Sequence, residues 1–234
     1  MDQSLMLNFI QNAALLLAIV LVYDAFPRSH KRELQLLPKL GVGLLVGGIT
    51  VGLMLMPWQH SQGVFFDSRT VILGISGMFF GGIPTLVAVV ISALFRFSEG
   101  GIAVWSGIGS IMTSALIGYL WGKYRSGDIG DIRFRELMVF GFSLHVLSLL
   151  WALVMPFDIA FTLLKQITLP FLIIFPITTA LLGMLLSRRI EIQRDQKIKL
   201  QDHLLFKSHF QAGSIGIAIT DVDQQWIKVN PNLC

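Results

Sequence analysis

The chain has one cysteine in 234 residues, and it is the last residue, Cys234. No disulfide closes within the chain and no Cys-x-x-Cys metal knot exists. Charge is scarce too. Asp, Glu, Lys and Arg make up 14%, against about 25% in soluble domains. The net charge of +4 is small, and loops facing an anionic leaflet explain it better than nucleic-acid binding does. There is no nucleophile elbow and no His/Asp/Glu cluster with ligand spacing. Paired glycines in apolar stretches lack the following Lys-Ser/Thr of a phosphate loop. The reading therefore names no catalytic residue, no metal and no cofactor, and leaves any enzymatic activity to domains not visible in this sequence.

What is there is apolar chain. Hydrophobic residues make up 54%, with 22 glycines, 17 phenylalanines and five tryptophans, and the mean hydropathy is +0.70. That is the composition of membrane helices with aromatic interfacial belts. A span needs about 20 apolar residues, and five segments qualify: 5–23, 38–57, 102–122, 136–156 and 159–187. The first lacks a basic leader and a small-residue cleavage site, so it reads as a retained helix. The last carries Pro170 and Pro176, which predict a kink. A sixth apolar region, 70–97, is interrupted by Gly81-Gly82-Ile83-Pro84, the expected hinge.

Basic residues cluster at Arg28, Lys31, Arg32 and Lys39, at Lys123, Arg125, Arg133 and Arg135, and at Arg188, Arg189, Arg194, Lys197 and Lys199. The positive-inside rule places all three clusters, and with them the C-terminus, in the cytoplasm. Residues 58–69 and 97–101 then both lie outside. The region between them must return to the face it left, as two short helices, 70–80 and 84–96, neither long enough to cross. Arg69 and Arg96 are 27 positions apart. One continuous helix would separate them by roughly 40 Å, whereas a hairpin brings them to one face. Two converging guanidiniums suit a carboxylate, which a planar fork grips with paired hydrogen bonds. The other reading makes them interfacial residues, Arg69 paired with Asp67 and Arg96 with Glu99.

After Glu99-Gly100-Gly101 comes a helix bearing Ser106, Gly107, Ser110, Thr113 and Ser114. The three- and four-residue spacings put the hydroxyls on one small, polar face. Such a face serves close helix packing, and it also leaves room for a small ligand near a positive helix end. His145, Ser143 and Ser148 are the candidates for a second, internal polar cluster. Asn8, Gln11 and Asn12 are candidates for helix association. Lys165 and Asp158 sit at the mouth of the last span.

Past Ser187 the chain turns charged and free of Gly and Pro, so the helix continues. Leu186, Ile190, Gln193, Lys197, Leu200 and Leu204 follow a 4-3-4-3-4 spacing. That spacing is a weak coiled-coil seam for a homodimer through 186–204, or else a solvated helix. Beyond it, Ile215, Ile217 and Ile219 alternate as in a strand. Asp221–Gln225 reads as a turn and Trp226–Val229 as a second strand, the opening of a domain that continues past Cys234.

The stretch FDSRTVILGISGMFFGGIPTLVAVVISALFRFSEGG, followed by SGIGSIMTSALIGYLWG, closely resembles the five-transmembrane receptor domain of the LytS/YhcK type. The ending FQAGSIGIAITDVDQQWIKVNPNLC resembles the start of a PAS domain. The resemblance implies a bacterial inner-membrane sensor whose output is a histidine kinase or a cyclic-di-GMP enzyme. It implies a small-carboxylate ligand such as pyruvate, held by two arginines and by polar residues of the next helix. On this chain Arg69 and Arg96 match the two arginines and Ser110 a polar position; together with Ser106 and Gly107 from the residue pattern they make the candidate ligand site, supported by Asp67, Glu99, Gly100 and Gly101, with the hinge at Gly81, Gly82 and Pro84. Gly107 stands where pyruvate sensors can carry cysteine. A distant likeness to vitamin-transporter binding subunits implies a buried site as well. The expected architecture is an all-α membrane bundle of five long helices plus a broken hairpin, then a juxtamembrane helix and the first strands of an α/β PAS domain. The expected divisions are 1–37, 38–187, 188–206 and 207–234. A transporter-like binding protein and a dimerising anchor without ligand remain the alternative functions.

Overall fold

A computed structural model describes residues 14–24, 36–55, 58–61, 64–66, 68–212, 216, 218–221 and 225–230. The order is α1 (Ala14–Asp24), α2 (Leu36–Leu55), a strand pair β1 (Trp58–Ser61) and β2 (Val64–Phe66), α3 (Arg69–Phe80), α4 (Gly82–Glu99), α5 (Val104–Tyr124), α6 (Phe134–Leu150), α7 (Phe157–Ala212), and β3 (Ala218–Thr220) with β4 (Trp226–Val229). The chain divides into two compact units, residues 1–189 and 190–234.

The first unit is mostly helical, and its helices meet through glycine. A Cβ added to Gly122 would stand 2.6 Å from the Met78 carbonyl oxygen, and one on Gly118 would stand 2.9 Å from the Gly74 Cα. So α3 and α5 touch backbone to backbone and run parallel. A Cβ on Gly43 or Gly47 would meet Val87 or Ile91, which makes α2 parallel to α4. Gly82 lies under the Tyr119 ring while Gly107 lies under Arg96, so α4 runs antiparallel to α5. The two arms α3 and α4 are therefore antiparallel, joined at Gly81. Their walls are tied by a 2.9 Å hydrogen bond between the Ser76 and Thr85 hydroxyls.

This arrangement is the expected hairpin, with one correction. The second arm is not a short piece of 84–96. It runs from Gly82 to Glu99, 18 residues, apolar enough to cross a membrane, and about 27 Å long at 1.5 Å per residue. Pro84 does not delay its start, because a first-turn proline lacks only an N–H that has no helical partner anyway. The first arm has 12 residues, about 18 Å, and ends partway through. Only Gly81 of the three hinge residues takes a left-handed backbone, φ +82°.

Among the described residues five helices are long and apolar enough to span: Leu36–Leu55, Gly82–Glu99, Val104–Tyr124, Phe134–Val154 and Ile167–Gln211. The last belongs to α7, one helix of 56 residues, so the span expected at 159–187 runs on past Ser187 without a break, as the charged, Gly- and Pro-free sequence there indicates. Pro176 is buried in it, and a Cβ on Gly141 of α6 would stand 3.0 Å from the Pro176 Cα. Of the segment expected as the first span, 5–23, the described part is α1, and Asn8, Gln11 and Asn12 lie outside the described residues. The core holds Val46, Leu53, Ile72, Ile75, Ile111, Leu137, Phe140 and Leu144. Leu44, Leu86, Leu94, Met112, Leu116 and Val139 face outward, as lipid-facing side chains do.

The register sets what lies at each end. Ser114 meets Ser148 and Arg125 meets Glu136, so α6 is antiparallel to α5. Lys39 at the start of α2, Lys123 and Arg125 at the close of α5, and Arg133 before α6 share one end. Arg69 and Arg96 share the other. The basic end is laced together: the Arg125 guanidinium grips both Glu136 oxygens, at 2.6 and 3.2 Å, and donates to the Asp128 carbonyl.

In the second unit, β3 and β4 pair antiparallel, Ala218 opposite Val229 and Ile219 opposite Lys228. The Asp221 N–H donates to the Gln225 carbonyl and its carboxylate accepts from the Gln225 N–H. The turn and the second strand lie where the sequence puts them. The first strand is described from Ala218 onward.

Candidate functional site

The end of the bundle opposite the basic loops is built from three helix termini. Arg69 is the first residue of α3 and is half-buried. Asp67, its expected partner, lies outside the described residues. Arg96 sits in the last turn of α4. Gly100 (φ +68°) and Gly101 (φ +89°) then reverse the chain into α5. That helix starts at Val104, whose N–H reaches the Gly101 carbonyl at 3.3 Å. The positive helix end expected at Gly101 is thus three residues later.

The structure joins Arg96 to two of its expected neighbours. Its Nη1 donates to Glu99 Oε2 at 3.0 Å, one turn along the same helix. Its aliphatic stem and Nε lie across Gly107: a Cβ there would be 2.6 Å from Nε, 3.0 Å from Cδ and 3.1 Å from Cγ. The Arg96 side chain is only 16% exposed, and its buried Nε has no hydrogen-bond partner among the described residues. A buried donor without a partner costs about 1–3 kcal/mol, so this is where a missing acceptor is expected. Counted along α5, Arg96 stands opposite Gly107. The Gly74–Gly118 contact puts Arg69 near position 113, roughly 9 Å deeper along the axis.

The hydroxyl stripe splits. Ser110 is buried and donates back to the Gly107 carbonyl at 2.8 Å, so it offers a ligand lone pairs rather than a proton. Ser114 donates back to the Ser110 carbonyl at 2.7 Å and touches Ser148 at 3.3 Å. Thr113 turns aside to accept from the Trp151 indole at 2.8 Å. Ser106 is half-buried one turn before Ser110.

His145 and Ser148 do not form the cluster with Ser143 that the sequence suggests. The His145 Nδ1 donates to the Gly141 carbonyl at 2.6 Å, and its Nε2 meets the Thr70 hydroxyl at 3.3 Å. That arrangement is the tautomer in which Thr70 donates. The ring is closed in by Phe171 and Phe175 of α7, at 5.1 and 5.4 Å. Sequence reasoning missed Thr70, Trp151 and the Arg125–Glu136 fork. Their partners lie 75, 38 and 11 positions away, and no local spacing announces them. Lys165 and Asp158 are exposed on the first turns of α7. Among the described residues no group of three His, Cys, Asp or Glu is placed to hold a metal.

No curated protein and no solved structure matches the chain. The family model described as 5TMR of 5TMR-LYT matches residues 22–189, from the close of α1 to the point where α7 leaves the first unit. That span covers the hairpin, the two arginines and the glycine-packed helices, and the chain belongs to this five-transmembrane receptor family.

Proposed function

We propose that this membrane receptor module binds a small carboxylate between Arg69 and Arg96 on the extracytoplasmic side and relays its presence through α7. The observation that carries the reading is the buried, unpartnered Nε of Arg96. It lies at the same end as Arg69 and beside a helix face of glycine and serine. Its Nη1 is held by Glu99 but its Nε lacks an acceptor among the described residues, and a carboxylate supplies one in the geometry the fork prefers. The sidedness rests on Lys39, Lys123, Arg125 and Arg133 at the opposite end.

The strand pair after α7 is the start of a PAS domain, and a histidine kinase or a cyclic-di-GMP enzyme follows it in a bacterial inner-membrane protein. Two copies pair through 186–204, where Leu200 and Leu204 are exposed; Leu186, the first residue of the expected seam, is buried and takes no part. A ligand shifts such a module only by binding one state better than the other.

The test is calorimetric binding of pyruvate and a panel of small carboxylates to the purified chain, alongside Arg69→Ala and Arg96→Ala. Binding that either substitution abolishes while the helical signal and melting temperature hold supports a two-arginine site. Binding that survives both substitutions, or no binding of any carboxylate, refutes it.

A further inference from the structure

Two separate observations fall on one spot. The unpartnered buried atom is the Arg96 Nε, and the residue directly beneath it is Gly107. We infer that the missing side chain at 107 sets the reach of Arg96, and through it the size of carboxylate the receptor accepts. This inference rests on the proposed carboxylate site and deepens it.

The geometry leaves Arg96 little freedom. Its Nη1 is held by Glu99. Its stem lies flat on α5 because position 107 presents only a hydrogen. The three atoms nearest to a Cβ at 107 all belong to the Arg96 side chain and none to the backbone. A methyl at 107 would therefore act on Arg96 rather than on the backbone. A Cβ 2.6 Å from Nε falls short of an ordinary contact by about 1 Å, and the guanidinium must rise off α5 by that amount. The room beside Arg96 for a ligand then shortens by about the same 1 Å. With glycine the site is at its deepest and takes the longer members of a carboxylate series. With alanine it takes the shorter ones. Displacing a positioned group by about 1 Å can cost 100-fold, so the effect should be easy to read.

The experiment measures dissociation constants of acetate, pyruvate, 2-oxobutyrate and 2-oxovalerate for the full chain in lipid nanodiscs, as wild type, Gly107→Ala and Gly48→Ala. Position 48 has open space around it and serves as the control. Gly107→Ala is expected to weaken the longest acid that wild type binds by about tenfold or more, to spare the shortest, and to leave the melting temperature unchanged. Gly48→Ala should leave all four constants alone. If Gly107→Ala does not fold, Glu99→Ala carries the test instead. It frees Nη1 of Arg96 at a partly exposed position, and is expected to flatten the discrimination between chain lengths. Equal weakening of all four acids, or an unchanged order in the variant measured, overturns the inference and leaves the carboxylate site standing. Wild type binding none of the four overturns the carboxylate reading and this inference with it.

Discussion

Gly118→Ala should separate a steric requirement from a mere preference for small residues. At Gly118 the atoms a new Cβ would meet are the Gly74 carbonyl oxygen, the Gly74 carbonyl carbon at 2.7 Å and its Cα at 2.9 Å. All three are backbone, so no rotamer change relieves the clash and α3 and α5 must move apart by about 1 Å. Overpacking of this kind costs about 1–3 kcal/mol, and a rigid backbone neighbour places it at the upper end. Alanine returns about 1 kcal/mol of helix propensity relative to glycine, so the net loss is about 2 kcal/mol. Gly48→Ala is the same chemical change where nothing lies within 4 Å, and only the propensity gain of up to about 1 kcal/mol remains. The two variants should therefore differ by about 3 kcal/mol, roughly 100-fold in the unfolding constant. Reversible unfolding in mixed micelles, followed by tryptophan fluorescence, measures both. Gly118→Ala as stable as Gly48→Ala would refute the backbone contact. Adding Gly122→Ala to Gly118→Ala should cost less than the two separately, because parted helices already have room for the second methyl.

Three further outcomes follow from particular contacts. Thr70→Val leaves the buried Nε2 of His145 without its donor and should lose about 1 kcal/mol, while Thr70→Ser keeps the hydroxyl and most of the stability, both read in the same micelle assay. Glu136→Ala removes the partner of a guanidinium whose side chain is only 9% exposed. It should destabilise by about 1–3 kcal/mol and speed hydrogen exchange through residues 128–132, where Arg125 also holds the carbonyls of Asp128 and Asp131. Gly81→Ala forces a side chain into φ +82° and should cost about 1–2 kcal/mol. A melting temperature equal to wild type would contradict the hinge geometry.

Charge and length carry the bundle in the sequence. The three basic clusters fix the helix directions, and those directions alone require 70–97 to double back. The register of Gly74 on Gly118 and of Arg96 on Gly107 agrees with that. The sequence misjudges the length of the second arm because Gly-Gly-Ile-Pro looks like a breaker, yet Pro84 is harmless in a first turn. The strand pair at 58–66 goes unseen because the segment is too short to show a two-residue period against an apolar background. In the site, Arg96 and Glu99 are legible from their three-residue spacing. Its contact with Gly107 is not. That contact depends on the crossing of two helices, and glycine in a membrane helix signals close approach without saying to what. The hydroxyl stripe is legible as a face, but the hydrogens of Ser110 and Ser114 turn back to their own helix, as serine in an apolar helix does when no better acceptor is near.

The two ends of the bundle are tied to each other by α5. One end carries Gly107 and Ser110, beside Arg96. The other carries Arg125, whose guanidinium holds Glu136 of α6 and the carbonyls of the 3-10 turn at Ile129–Asp131 and its cap. That turn in turn accepts a 2.5 Å hydrogen bond from Ser187 to the Gly130 carbonyl, where α7 leaves the first unit. Arg189, two residues on, pairs at 3.8 Å with Asp24 of α1. The exposed ion pair adds little on its own. The buried fork and the serine contact fix α7 to the loop that α5 ends in. The segment of α7 that leaves the bundle is therefore held by the same helix that lies beneath Arg96. A change at that arginine that favours one position of α5 has, in Arg125 and Ser187, a continuous set of contacts on which to act.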